Sequence, residues 1–244
     1  MSYIVVIPAR FKSGRLPGKP LIQLCGVPMI VRTYAQCIKV VPPELVYVAT
    51  DDDNIKDECE KNNIQVLMTD SNCLTGTDRV AEVAKIIKVD TYINVQGDEP
   101  IFNPDDLREL IKKATENPLD IINGYCAIKD EEMYRSSSIP KVIMRPDGRL
   151  LYMSRAGVPT TKTHKFVKAW RQVCAYAFPR SALEMFTSTK DKTELELIED
   201  IEILRFLELG CNVQMIPMSD ISIAVDNPED VVHVELAIKQ LGLY

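Results

Sequence analysis

The sequence predicts an α/β domain built on a mostly parallel sheet, and three observations predict it. Short apolar runs of strand length recur, longer amphipathic segments lie between them, and a basic, glycine-interrupted loop follows directly on the first run. Residues 3–8 (YIVVIP), 45–50 (LVYVAT), 64–69, 91–95 (TYINV) and 120–127 are the strand candidates. Segments 28–39, 54–62, 77–88 and 104–116 are the helical candidates between them. Continuously apolar strands alternating with helices suit a sheet covered on both faces. Pro104 followed by Asp105 and Asp106 suits a helix start, because proline needs no hydrogen-bond partner there and acids favour the dipole's positive end.

Residues 129–180 break this rhythm. Short strand candidates at 141–144, 150–153 and 173–178 are separated by Pro, Gly and polar residues, and the segment reads as a β-rich insertion or flap. The α/β pattern then resumes with a helix over 194–209, strands over 212–217 and 221–225, and a closing helix over 228–241. No internal repeat or low-complexity segment is present.

Composition narrows the function. The 244 residues carry a net charge of -6, whereas a duplex-binding protein is usually basic, so nucleic acid is not an expected partner. The seven cysteines are scattered, with no C-x-x-C pair, and read as reduced thiols in a cytoplasmic protein. With only His164 and His233 available, a Cys/His zinc site is not expected. The N-terminus enters a strand at once, and no run approaches the ~18 apolar residues of a membrane span.

In an acidic chain, a local concentration of cations is informative. Residues 8–20 read PARFKSGRLPGKP and place Arg10, Lys12, Arg15 and Lys19 around Gly14 and Gly18. In open α/β sheets ligands bind beyond the carboxyl ends of the strands, where this loop begins. Glycine lets backbone N–H groups approach an anion, and the cations offset phosphate charge. The loop is not a Walker A motif, and its own chemistry implies only polyphosphate binding.

The whole string is more specific. Residues 7–21 match I-P-A-R-x-x-S-x-R-L-P-G-K-P-L, followed by G-x-P-M-I at 26–30, V-A-T-D at 48–51, M-T at 68–69 and G-T-D-R at 76–79. N-V-Q-G-D-E-P at 94–100, Y-x-S-R-A-x-x-P at 152–159 and V-D-x-P-E-D at 225–230 complete the series. In this order, across the full chain, the sequence resembles the 3-deoxy-manno-octulosonate (Kdo) cytidylyltransferases. The resemblance implies a Rossmann-like, three-layer nucleotidyltransferase of one domain, 1–244, with 129–180 as an insertion serving acceptor binding and dimer formation. It implies a homodimer that uses CTP, with Mg²⁺ as cofactor, in lipopolysaccharide or capsule biosynthesis. Lys19 and Arg15 are expected on the α- and β-phosphates, with Arg10 and Ser13 shaping the cradle. Gly76, Thr77, Arg79 and Gln96 are expected near the nucleotide.

Two carboxylates end strand candidates beside this loop. Asp98 follows 91–95 through Gln96 and Gly97, and Asp226 follows 221–225. Mg²⁺ takes a few carboxylate oxygens together with phosphate oxygens, so the pair suits one metal. The resemblance implies the same role for both. A turn residue at Asp98 and a helix N-cap at Asp226 are the structural alternatives. Thr77 reads as the N-cap of the helix that starts there. Asp51, Asp52 and Asp53 read either as the D-x-D metal site of a GT-A-like glycosyltransferase or as an acidic helix start.

The acceptor side departs from the pattern. Where the family has K-H-x-G-I-Y-x-Y, residues 171–178 read RQVCAYAF, so Gln172 replaces the histidine while Tyr176 remains. In the family string L-E-x-x-E-x-L-E-Q-L-R, Glu196, Glu199 and Glu202 remain but Ile203 replaces glutamine. Arg155, Gln172, Tyr176, Glu199 and Glu202 are the expected acceptor residues. Arg155 suits either an acceptor carboxylate or a structural ion pair. Losing a polar contact alters which hydroxyl a site accepts, so the expected acceptor is Kdo or a related small anion, with phosphate or phosphonate acids as the alternative.

Overall fold

The computed structural model describes residues 1–11 and 16–243. Seven strands form the main path of a mixed sheet. They are β1 (Tyr3–Ala9), β4 (Val46–Thr50), β5 (Gln65–Met68), β6 (Thr91–Val95), β7 (Ile121–Ala127), β10 (Trp170–Pro179) and β11 (Val213–Pro217). Their order across the sheet is β11-β7-β10-β6-β1-β4-β5. Every neighbouring pair along this path is parallel except the two that β10 makes, with β6 and with β7. Two further strands, β8 (Lys141–Met144) and β9 (Leu150–Ser154), form a hairpin that joins the sheet where Lys141 pairs with Arg171. A miniature hairpin, β2 (Gln23–Leu24) and β3 (Val27–Pro28), turns through Cys25 and Gly26, both at positive φ. That handedness matches the twist of the strands it connects.

Burial explains the apolar runs. Along β1, Val5 and Ile7 face one helical layer while Ile4 and Val6 face the other. On the first face, β1, β4 and β6 pack against α1 (Met29–Cys37), α2 (Asp53–Lys61) and α4 (Pro104–Glu116) through Ile30, Ile55, Leu107 and Leu110. On the second lie α3 (Gly76–Ile86), α6 (Arg180–Phe186) and α8 (Ile203–Glu208), through Val80, Leu183, Phe186 and Phe206. A third cluster seats α9 (Pro228–Gln240) on the miniature hairpin through Val234, Ile238 and Leu24. Each buried aliphatic side chain contributes about 1.5–3 kcal/mol relative to exposure, which is why the strands read as unbroken apolar runs. No helix among the described residues is long and apolar enough to cross a membrane.

Three expectations change. The continuous helix over 194–209 divides into α7 (Glu194–Glu199) and α8, because Asp200 takes a left-handed conformation, φ 50° and ψ 50°. The stretch 221–225 is not a strand. It crosses the end of the sheet, tied by the Val225 N–H to the Asp98 carbonyl at 3.0 Å and by the Arg171 guanidinium to the Ser222 carbonyl. Within 129–180, a short helix α5 (Glu131–Arg135) precedes the β8–β9 hairpin, and the hairpin lies off the strand path. By contrast, β10 is a central strand of the main sheet.

Candidate active site

The carboxyl ends of β1 and β6 open into a cleft of about 440 Å³. Because β10 runs the other way, its N-terminal half lies at this same edge. Gln172, Cys174 and Tyr176 therefore line the cleft together with Arg10, Gln96 and Asp98. An open α/β sheet holds its ligands in this position.

Lys19 is the centre of one wall. The Gly18 N–H donates to the Phe11 carbonyl at 3.0 Å and closes the neck of the basic loop. Gly18, at φ 69°, then turns the chain into a single 3-10 turn that begins at Lys19. The Lys19 ammonium sits 2.6 Å from Asp98 Oδ2 and 3.2 Å from Asp226 Oδ1. Burial lowers its pKa, but the two carboxylates outweigh burial and raise it, so Lys19 stays charged. Asp98 reaches this point because Gly97 lets β6 and β1 close together. A Cβ at Gly97 would stand 2.7 Å from the Pro8 carbonyl oxygen. Asp226 is not the cap of α9. Asn227 is, and the N–H groups of Asp226 and Asn227 both donate to Asp230, at 2.9 and 2.7 Å. Asp98 and Asp226 thus both reach the Lys19 ammonium, although 221–225 is not the strand that the expected convergence on one metal assumed. Two carboxylates around one positive charge suit a divalent ion that draws its remaining ligands from water and phosphate. Ser13 and Arg15 lie outside the described residues.

The start of α3 forms a second wall. Thr75, not Thr77, is the N-cap, its hydroxyl accepting from the Asp78 N–H. The freed N–H groups of Gly76 and Thr77 donate to the Glu202 carboxylate at 3.1 and 2.8 Å, and the Thr77 hydroxyl donates at 2.6 Å. Glu202 therefore occupies the anion position at this helix start while lining the cleft. Burial raises its pKa against the opposing effect of these donors. Gln96 packs against Gly76, where a Cβ would meet its amide at 3.0 Å. Arg79 is buried, bonded to the Thr69 hydroxyl and paired with Asp51 at 3.4 Å. Asp52 caps α2 through the N–H groups of Asn54 and Ile55. The acidic run 51–53 thereby opens a helix and balances an arginine, and it does not gather as a metal site.

The third wall joins the hairpin to the α7–α8 turn. Glu199 accepts from the Ser154 hydroxyl at 2.7 Å, the Arg155 N–H at 2.8 Å and the Tyr152 hydroxyl at 3.2 Å. Burial pushes its pKa up, but these donors together hold it below the usual carboxylate value. The Arg155 guanidinium donates to the carbonyls of Ser137, Glu199 and Asp200, so it clamps the hairpin to the turn while lining the cleft. Ile203 is 1% exposed in the second core cluster, so the departure there is one of packing rather than of the cleft wall.

Sequence reasoning missed several residues. Lys192 pairs with Asp200 at 2.5 Å, and both line the cleft. Asp200 carries no motif, and its backbone turn brings it there. Buried Glu99, beside Asp98, is pushed up to about 7 by burial and by the Asp98 charge, while Ser222 and Arg171 act in the opposite sense. Asn123 is fully buried behind Gln172, in a strand that reads only as apolar.

A phosphate-type loop, two carboxylates and a polar cleft at the end of a doubly covered sheet define a nucleotide-dependent transferase. The chain belongs to the cytidylyltransferase family, whose sequence profile matches residues 4–216, and it is a CTP-dependent nucleotidyltransferase. It is 35% identical over 240 residues to the 3-deoxy-manno-octulosonate cytidylyltransferase of Protochlamydia amoebophila, covering 95% of this chain and 92% of that one. The enzyme of the same name from Acaryochloris marina is 36% identical over 243 residues, 98% of each chain. Among solved structures, a CMP:2-keto-3-deoxy-manno-octonic acid synthetase complexed with CTP superposes with a TM-score of 0.91 at 31% identity. The match covers 99% of this chain and 100% of that one.

Proposed function

We propose that this enzyme transfers CMP from CTP to a 2-keto-3-deoxy sugar acid, Kdo or a close relative, and releases pyrophosphate. The observation that carries the reading is the Lys19 ammonium held between Asp98 and Asp226 at the strand ends. The names of the relatives and the CTP in the similar structure support the choice of nucleotide and acceptor. The acceptor hydroxyl oxygen attacks the α-phosphorus in line. A new P–O bond forms, the bond to pyrophosphate breaks and the hydroxyl proton leaves to water. Neither His164 nor His233 lines the cleft, so positioning and electrostatics do most of the work.

Asp98 and Asp226 would hold Mg²⁺, which when bound neutralises phosphate charge and lowers the pKa of a nearby hydroxyl. Lys19 offsets charge on the α- and β-phosphates, with Arg10 at the mouth and Ser13 and Arg15 as further phosphate ligands. Gln96 and the Gly76–Thr77 turn border the nucleotide. Arg155 and Lys192 supply positive potential for the acceptor's acid group. A cytoplasmic homodimer completes the reading. Leu151 on the hairpin and Leu197 and Ile198 on α7 are exposed apolar residues on the segments that would pair.

The test is an acceptor screen with CTP and Mg²⁺, reading pyrophosphate against Kdo, other ulosonates and small phosphonic acids. Release with one or more ulosonates is expected. Release only with phosphonic acids overturns the acceptor assignment.

A further inference from the structure

The hydrogen bonds around Gln172 fix which way its amide points, and from this we infer the chemistry it recognises. The chain of bonds starts at Asn123, fully buried on β7. Its amide nitrogen donates to the carbonyls of Val173 at 3.0 Å and Ala175 at 2.9 Å. These carbonyls lie at the start of, and within, the stretch 173–176 over which β10 shifts register against β7. An amide has two N–H donors, so Asn123 has only its carbonyl oxygen left to turn toward Gln172. Gln172 must answer with its nitrogen, which stands 3.0 Å from Asn123 Oδ1 and 3.1 Å from the Tyr176 hydroxyl oxygen. Both Gln172 donors are then in use. The remaining group, Oε1, accepts no hydrogen bond among the described residues, and it is not one of the enclosed, partnerless polar atoms. It is open to the cleft that Gln172 lines.

We propose that Gln172 is a specificity residue whose Oε1 reads a hydrogen-bond donor, a hydroxyl or an ammonium, on the acceptor. A carbonyl oxygen accepts from such groups and repels the oxygens of a carboxylate or phosphate. The acid group of the acceptor therefore turns toward Arg155 and Lys192, and its donor-bearing part toward β10. A histidine at this position can exchange donor and acceptor tautomers, whereas the Asn123 lock leaves glutamine no such choice. The inference rests on the ulosonate reading above and adds the orientation of the acceptor within the cleft.

The test uses Gln172→Met, which keeps bulk and removes the acceptor atom together with the two N–H donors, with a matched set of ulosonates that each lack one hydroxyl or amine. Wild-type enzyme is expected to show an acceptor KM about tenfold higher for one member of the set, as the loss of a single hydrogen bond gives. Gln172→Met is expected to raise the KM of the parent acceptor by a similar factor, to abolish that discrimination, and to leave the KM for CTP unchanged. If no deletion in the set raises the wild-type KM more than twofold, the inference falls while the function stands, and this arm needs no variant to fold. An unchanged acceptor KM in a CTP-competent Gln172→Met has the same meaning. Failure of the wild type to turn over any ulosonate removes both.

Discussion

The two sides of the cleft are built differently. On the proposed nucleotide side, Lys19, Asp98 and Asp226 are charged groups gathered at the open end of the sheet, where both carboxylates meet the Lys19 ammonium. On the proposed acceptor side, Arg155, Glu199 and Gln172 are engaged with backbone groups or neighbouring side chains before any ligand arrives. The first arrangement is the set of charges that the proposed chemistry requires. The second is a scaffold whose remaining free atoms would decide what fits. On this reading, reaction and selectivity are separable by mutation.

The largest break in that comparison comes from the nucleotide side. Asp98→Asn keeps the shape of the side chain and removes one of the two charges facing Lys19. A fall in kcat on the order of a thousandfold is expected, with the melting temperature little changed. Pyrophosphate release in Mg²⁺ measures it, and a near-normal rate would refute a metal-holding role for Asp98.

A smaller effect tests the scaffold. Ile203→Gln restores the residue the family pattern carries, yet the position is core. Burying an unpaired amide there costs about 1–3 kcal/mol. A lower denaturation midpoint with an unchanged acceptor KM is expected. An altered acceptor KM in a fully stable variant would show that position 203 reaches the acceptor.

The smallest effect is in the pH dependence. Glu199 has a folded pKa below its ordinary 4.5, so its contribution to stability is present above that value and is lost as pH falls through the lower, folded one. Glu199→Gln should flatten the acid limb of a plot of melting temperature against pH below about 4.5 and leave neutral pH kinetics of CTP binding unaltered. An unchanged acid limb would mean that the three donors do not act on the carboxylate as described.

The sequence was most legible where function and backbone coincide. The strand 91–95 and the helix 104–116 are found as expected, because an apolar run and a Pro-Asp-Asp start are local signals. Asp98 was readable as a position because it sits one short turn beyond β6, and Lys19 because it belongs to the basic loop that follows β1. Long-range partners were not readable. Nothing local shows that the Glu202 carboxylate closes the start of α3, 125 residues away along the chain. Asp200 gave no hint of a left-handed turn in a run with helical periodicity. Thr77 looked like the cap, although Thr75 stands two residues earlier and makes the bond. Gln172 was recognisable as a departure from the family pattern, but its orientation depends on Asn123 on another strand.

The reversed strand β10 has a consequence beyond supplying side chains. Residues along a strand alternate between faces, so a slip of one position would withdraw Gln172, Cys174 and Tyr176 and turn Arg171, Val173 and Ala175 toward the cleft. Asn123 grips the Val173 carbonyl, where the irregular step begins, and the Ala175 carbonyl within it, and so works as a ratchet pawl on this strand. A fully buried amide thereby keeps Gln172, Cys174 and Tyr176 on the cleft face of the sheet.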